Sequence, residues 1–323
     1  MTPLNRFLAC MLTLTLSPLA SSAGETELKI VTTTGMIKDV VQQVAGDRAT
    51  VTCIMGEGVD PHLYQPTSAD VRKVLGADMV FANGLKLEGR MTEVFEKSRT
   101  MGNEVVVITD RIDKSTCLES PDYPGEHDPH VWHDVTMWAS GISIIVEELT
   151  RIDPDGAEIY KENGEAYADR LNALHGYITW VIGTIPREQR VLITAHDAFG
   201  YFGRIYGIEV LGVQGITTES EAGISDINTM VDFIVDRKIS AVFIESSVSE
   251  RNVQALIEGA SSRGHEVKVG GMLYSDSMGA PGTWEGTYEG MIEHNVNLMA
   301  ASLGGTVPEG GFRGARTHAA EGS

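Results

Sequence analysis

Four side chains stand where they could do chemistry together: His62, His130, His196 and Asp276. Three imidazoles and a carboxylate form a donor set for zinc, manganese, iron or cobalt, because imidazole nitrogen suits borderline ions and carboxylate oxygen suits harder ones. His62 lies in Asp60-Pro61-His62-Leu63-Tyr64 and His130 in Asp128-Pro129-His130-Val131-Trp132, so one short pattern occurs twice. His196 closes one apolar run, and Asp276 follows another. Any single histidine is more often a surface or hydrogen-bonded residue than a ligand. On spacing alone the metal reading and that plain reading are evenly balanced.

What must position these residues is a series of short β-branched runs alternating with helical patterns. Strands are predicted over 28–34, 49–55, 78–83 and 104–109, and again over 190–195, 209–214, 241–245 and 266–273. Helices are predicted over 198–206, 226–237 and 252–262, and the alternation implies an α/β fold of two parallel-sheet lobes. All four residues then follow strands, where open parallel sheets bind their ligands. Between the two series, Tyr167, Leu171, Leu174, Ile178, Val181 and Ile182 recur at steps of four and three within 155–185. One long helix is implied, spanning about 45 Å at roughly 1.5 Å per residue and running along both lobes, although Gly164, Gly176 and Gly183 weaken it. Thr67 with Asp70 three residues on marks a helix start, and Asp134 marks another after His130. The expected organisation is a signal peptide over 1–23, an N-terminal α/β lobe over 24–154, a linking helix over 155–186, a C-terminal α/β lobe over 187–306 and a disordered tail over 307–323.

The 323 residues are 42% hydrophobic, enough for a substantial core, and a net charge of -20 argues against a nucleic-acid partner, which needs a basic face. Arg6, the apolar run 7–16 and the small residues Ser21-Ser22-Ala23 before Gly24 read as an export leader. Cys10 lies inside the apolar run rather than after it, so an unlipidated periplasmic monomer is expected. No later stretch reaches the roughly 20 apolar residues a membrane span needs. Cys53 and Cys117 could pair in an exported protein, but two free buried thiols are the favoured reading.

The segments DPHLYQPTSAD, DPHVWHDV, AHDAFGYFGRIYG, TTESEAGISDI and GGMLYSDSMG, in that order along the chain, resemble the motif series of the metal-binding solute receptors of zinc and manganese ABC transporters. The likeness extends over about 28–303. It implies two α/β lobes joined by one long helix, with Mn2+ or Zn2+ held between them by His62, His130, His196 and Asp276 and passed to a membrane permease. Two departures from the family pattern stand out. His133 replaces a residue that is more often apolar, and with His127 and His130 it makes a three-residue histidine spacing; the expectation is a loop-exposed His127 and a His133 beside the Asp134 cap rather than a second metal site. The segment before His130 also lacks the long His-rich loop of zinc-dedicated relatives, which favours manganese, or manganese and zinc together, over zinc alone.

Glu219, Glu221 and Glu245 lie near predicted strand ends and could orient ligand imidazoles. Phe199, Tyr201, Phe202 and Tyr206, and likewise Met272, Met278 and Met291, are expected to be packing residues. A secreted metal-dependent hydrolase is the competing function, but four protein donors close the shell that a catalytic metal keeps open, and neither HExxH nor GxSxG occurs.

Overall fold

The computed structural model describes residues 27–121 and 123–314. The predicted leader, 1–23, lies outside them. The first lobe runs β1 (Leu28–Thr32), α1 (Gly35–Ala45), β2 (Ala49–Cys53), α2 (Ser68–Leu75), β3 (Met79–Ala82), α3 (Thr92–Thr100), β4 (Glu104–Val107) and α4 (Val135–Ile152). Its strands form one parallel sheet in the order β2-β1-β3-β4. Every residue of the inner strand β3 is buried, as expected for a parallel strand covered on both faces. Met36, Ile37, Val40, Val41 and Val44 put the apolar stripe of α1 against that sheet.

The spine is α5 (Ala157–Gly183), 27 residues or about 40 Å long. Tyr160, Gly164, Tyr167, Leu171, Leu174, Ile178, Val181 and Ile182 are its buried residues, so the predicted periodicity marks the face that faces inward. Gly164 is required by the crossing with α4: a Cβ there would lie 2.7 Å from Val146 and 3.2 Å from Ile142. Gly164→Val is therefore expected to cost about 1 to 3 kcal/mol through overpacking, read as a lower urea midpoint with an unchanged slope.

The second lobe runs β5 (Val191–His196), α6 (Gly200–Tyr206), β6 (Glu209–Gln214), α7 (Ile224–Arg237), β7 (Ala241–Glu245), α8 (Arg251–Ser262), β8 (Lys268–Leu273) and α9 (Tyr288–Ser302). Its strands make two parallel pairs, β5-β6 and β7-β8, with β5 lying against β7. The β7-β8 register slips between Val242 and Phe243, opposite Gly270 and Gly271. At Gly271, φ is 137° and a Cβ would strike Leu298 of α9, so glycine lets that helix close over the strand.

One apolar core passes from α1 and α4 beneath α5 to α6 and α9, fastening the spine to both lobes. Smaller cores fill the far side of each lobe. Phe199, Tyr201, Phe202 and Tyr206 belong to the main core as expected, as do Met278 and Met291. Met272 departs from expectation: its place on β8 turns it outward, 40% exposed. The tail expected to be disordered over 307–323 is ordered through Gly314, because Phe312 is buried against Tyr177 and its N–H donates to Glu293 at 2.6 Å. Residues 315–323 lie outside the described residues. Cys53 and Cys117 are unpaired and half-buried, and burial pushes the Cys53 thiol up to about 11. Among the described residues, no helix is long and apolar enough to cross a membrane.

Candidate metal centre

His196 ends β5 and Asp276 follows the end of β8, whereas His62 and His130 lie in the longer loops after β2 and β4, and each is fixed by a local device. In both Asp-Pro-His segments the aspartate accepts the N–H of the histidine two residues on, at 2.8 Å from Asp60 to His62 and 2.9 Å from Asp128 to His130. These turns aim the rings inward. The loop carrying His62 is anchored at α2, where Thr67 and Asp70 form the expected capping box and Tyr64 donates to Asp70 at 2.7 Å. Asp134 caps α4 by accepting from Thr136 and Met137, which fixes the segment after His130. His196 is the last residue of β5, and Glu245, the last of β7, accepts both its backbone N–H (2.8 Å) and its ring Nδ1–H (2.6 Å). Trp132 then ties the lobes together, its indole donating to the Ser275 carbonyl at 2.9 Å beside Asp276.

The result is one cluster. The ligand atoms of His62, His130, His196 and Asp276 lie within 4.8 Å of one another, and none of the four residues is more than 4% exposed. Nε2 of His62 is 3.3 Å from that of His130, and Asp276 oxygens lie 3.6 Å from His62, 3.4 Å from His130 and 3.2 Å from His196. A tetrahedral ion with bonds of about 2.0 to 2.2 Å sets its ligands about 3.3 to 3.6 Å apart, so these separations fit a small cation. Asp128 holds the Nδ1–H of His130 at 2.7 Å as Glu245 holds that of His196, which turns both Nε2 lone pairs to the centre. Neither oxygen of Asp276, nor Nε2 of His196, has an aligned hydrogen bond. These are buried donor atoms turned toward one another without aligned hydrogen bonds, the condition a bound cation relieves.

The electrostatics agree. Burial pushes His62 down to about 3. Burial also opposes charge on His130, but Asp128 and Asp276 outweigh it and hold that ring up at about 9. Burial opposes charge on His196 too, and there Glu245 and Asp276 outweigh it and hold the ring well above the ordinary imidazole value. Burial would raise Asp276, yet His196 and His130 hold it well below the usual carboxylate range. The pocket thus keeps a carboxylate anion out of water and favours positive charge beside it.

Of the three glutamates considered from sequence, Glu245 reaches a ligand, whereas Glu219 and Glu221 are exposed, Glu219 lining the cleft outside. Asp60 and Asp128 were missed as supports, although the Asp two residues before each His was the visible signal. His127 is part-buried in that cleft rather than loop-exposed, because its segment folds back through a bridge to Glu119. His133 does not join the four; it is wholly buried against Phe199. The cleft, of about 490 Å³, reaches His62 from between Leu85 and Ile216, one from each lobe.

The family model described as zinc-uptake complex component A, periplasmic (ZnuA), matches residues 30–302. This chain belongs to that family. It is 40% identical over 285 residues to the manganese-binding lipoprotein MntA of Bacillus subtilis (strain 168), covering 88% of this chain and 92% of that one. To the zinc-binding protein TroA of Treponema pallidum (strain Nichols) it is 43% identical over 283 residues, covering 87% and 91%. The solved structure of the periplasmic zinc binding protein TroA from Treponema pallidum superimposes with a TM-score of 0.83 over 86% of this chain and 99% of that one, at 43% identity. Membership agrees with the two-lobed architecture and the long helix inferred from the sequence. It also accounts for the motif order, since the four clustered residues lie within the matched span.

Proposed function

We propose that this protein is an extracytoplasmic receptor that binds one divalent transition metal ion, Mn2+ or Zn2+, and passes it to an ABC permease for uptake. His62, His130, His196 and Asp276 hold the ion. The observation that carries this reading is the convergence of those four buried donors within 4.8 Å, with Asp276 3.2 to 3.6 Å from each imidazole. Four protein donors leave no open position for a substrate, which favours carriage over catalysis. Because donors come from both lobes, the ion stabilises one interlobe arrangement, and the permease reads that arrangement. The continuous core along the spine keeps the accompanying motion small.

Relatives named for manganese and for zinc fit a site between the two. Raw affinity favours zinc at three imidazoles. Asp276, which can bind through one or both oxygens, and the short segment before His130 favour transport of manganese, or of both ions, over zinc alone. A deletion strain is expected to grow poorly when manganese is limiting and to recover with added manganese. Recovery by zinc alone, with manganese uptake unchanged, reverses the preference; unimpaired uptake of both metals defeats the receptor reading.

The exported protein begins near Gly24 and is an unlipidated monomer. Intact mass and light scattering on the exported material test this, and a retained leader, a lipid on Cys10 or a dimer mass contradicts it.

A further inference from the structure

One hydrogen bond between the lobes ends on a residue that holds a ligand. Thr218 lies in the loop between β6 and α7 of the second lobe, and its hydroxyl donates to Oδ2 of Asp60, in the first lobe, at 2.5 Å. The other oxygen of Asp60 accepts the His62 N–H at 2.8 Å. A single carboxylate thus joins the far lobe to the backbone of a ligand. Thr218 is only 8% exposed, so water competes little for this bond, and a charged acceptor strengthens it. Its loop is itself fixed: the Gly215 carbonyl accepts the Asp197 N–H at 3.2 Å, the Gln214 side chain donates to the Ser220 carbonyl at 3.1 Å, and Ile216 is buried. His62 is the ligand that needs such a hold. Asp128 and Glu245 grip the rings of His130 and His196 through Nδ1, but among the described residues no side chain does this for His62. Of the four, it is also His62 that lines the open cleft. Its placement rests on the Asp60 turn, and that turn is braced from the opposite lobe.

We propose that Thr218 is a positioning residue for the cargo ion: its bond to Asp60 latches the lobes together and braces His62 on the ion, so that parting the lobes loosens His62 first. The pairs Asp128 with His130 and Glu245 with His196 each lie within one lobe, so they survive that parting. The latch exists only while the lobes are together, so it slows release of the ion without adding a donor to it. The ion then enters and leaves on the His62 side, through the cleft. This inference rests on the receptor reading above.

The test uses the full exported chain as wild type, Thr218→Val, Thr218→Ser, Asp60→Ala and the double variant Asp60→Ala with Thr218→Val. Stopped flow gives the Zn2+ association rate and, against excess chelator, the dissociation rate; thermal unfolding of the unloaded proteins establishes that they fold. Valine keeps the shape of Thr218 and removes the donor. Expected for Thr218→Val is zinc dissociation faster by roughly tenfold, the lower end of what a supporting partner of a metal ligand is worth, with association unchanged. Thr218→Ser, which keeps the hydroxyl, restores most of the slow dissociation. In the Asp60→Ala background Thr218→Val adds nothing further, because the acceptor is gone. Unchanged dissociation in Thr218→Val, equal effects of Val and Ser, or the full Val effect persisting without Asp60 overturns the proposal. If wild type does not bind Zn2+, the receptor reading falls and this inference with it; if wild type binds and Thr218→Val is silent, this inference alone falls.

Discussion

Replacing His196 with alanine is expected to lower zinc affinity by more than 100-fold. The substitution removes one of four donors, and nothing among the surrounding groups can take its place: Glu245 lies behind the ring, and the other imidazoles are already committed. Loss of a supporting hydrogen bond costs about 10 to 100-fold, so loss of a donor must exceed it. His62→Ala and His130→Ala are expected to behave alike, and the exposed Glu221→Ala to leave affinity unchanged. Titration calorimetry against a competing chelator measures the effect, with circular dichroism of the unloaded variants to establish that they fold. A His196→Ala loss below tenfold in a folded variant would remove His196 from the shell.

Acid should weaken binding over a wider range than free histidine would suggest. Nε2 must be unprotonated to hold a metal, so each proton displaced makes affinity fall by about tenfold per pH unit below the folded pKa. The sequence alone places that fall below about pH 6.5, the ordinary imidazole value. The structure moves it upward: although burial opposes the charge, Asp128 and Asp276 hold His130 at about 9, and Glu245 with Asp276 raises His196 as well. Zinc affinity is therefore expected to rise on the order of 100-fold or more from pH 6 to pH 9, with proton release seen as buffer-dependent binding heat. The unloaded protein should show the opposite trend on this side. A raised His130 contributes stability that is fully present below about 6.5 and lost as pH rises through about 9, whereas the depressed Asp276 contributes stability present above about 3.8 and lost as pH falls through its folded value. Asp128→Asn should shift the affinity rise toward pH 6.5. A pH profile flat between 6.5 and 9 contradicts the assigned proton positions.

Local chemistry explains which parts were legible in the sequence. The Thr67 and Asp70 capping box, the Asp134 cap and the inward face of α5 depend on neighbours within a turn or two, and each has a residue pattern of its own. For the four site residues, their places after strands of a parallel fold left a shared metal site and separate roles evenly balanced, and the family motif series supplied the set. What needed the structure depends on partners distant in the chain. Glu245 meets His196 across 49 positions and Trp132 meets Ser275 across 143, distances over which no periodicity speaks. Phe312 reads as a lone aromatic in a glycine-rich tail until Tyr177 and Glu293 are placed beside it. His133 reads as a cap neighbour, and only the tight turn beyond His130 and the Phe199 ring show that it is sealed inside.

Anomalous diffraction from crystals of the protein loaded with zinc, recorded on both sides of the zinc absorption edge, tests the central claim most directly. The prediction is one strong peak per chain, within about 2.0 to 2.2 Å of Nε2 of His62, His130 and His196 and of an oxygen of Asp276. A fully occupied peak elsewhere, for example at His127 in the cleft, with none among those four residues, would contradict it.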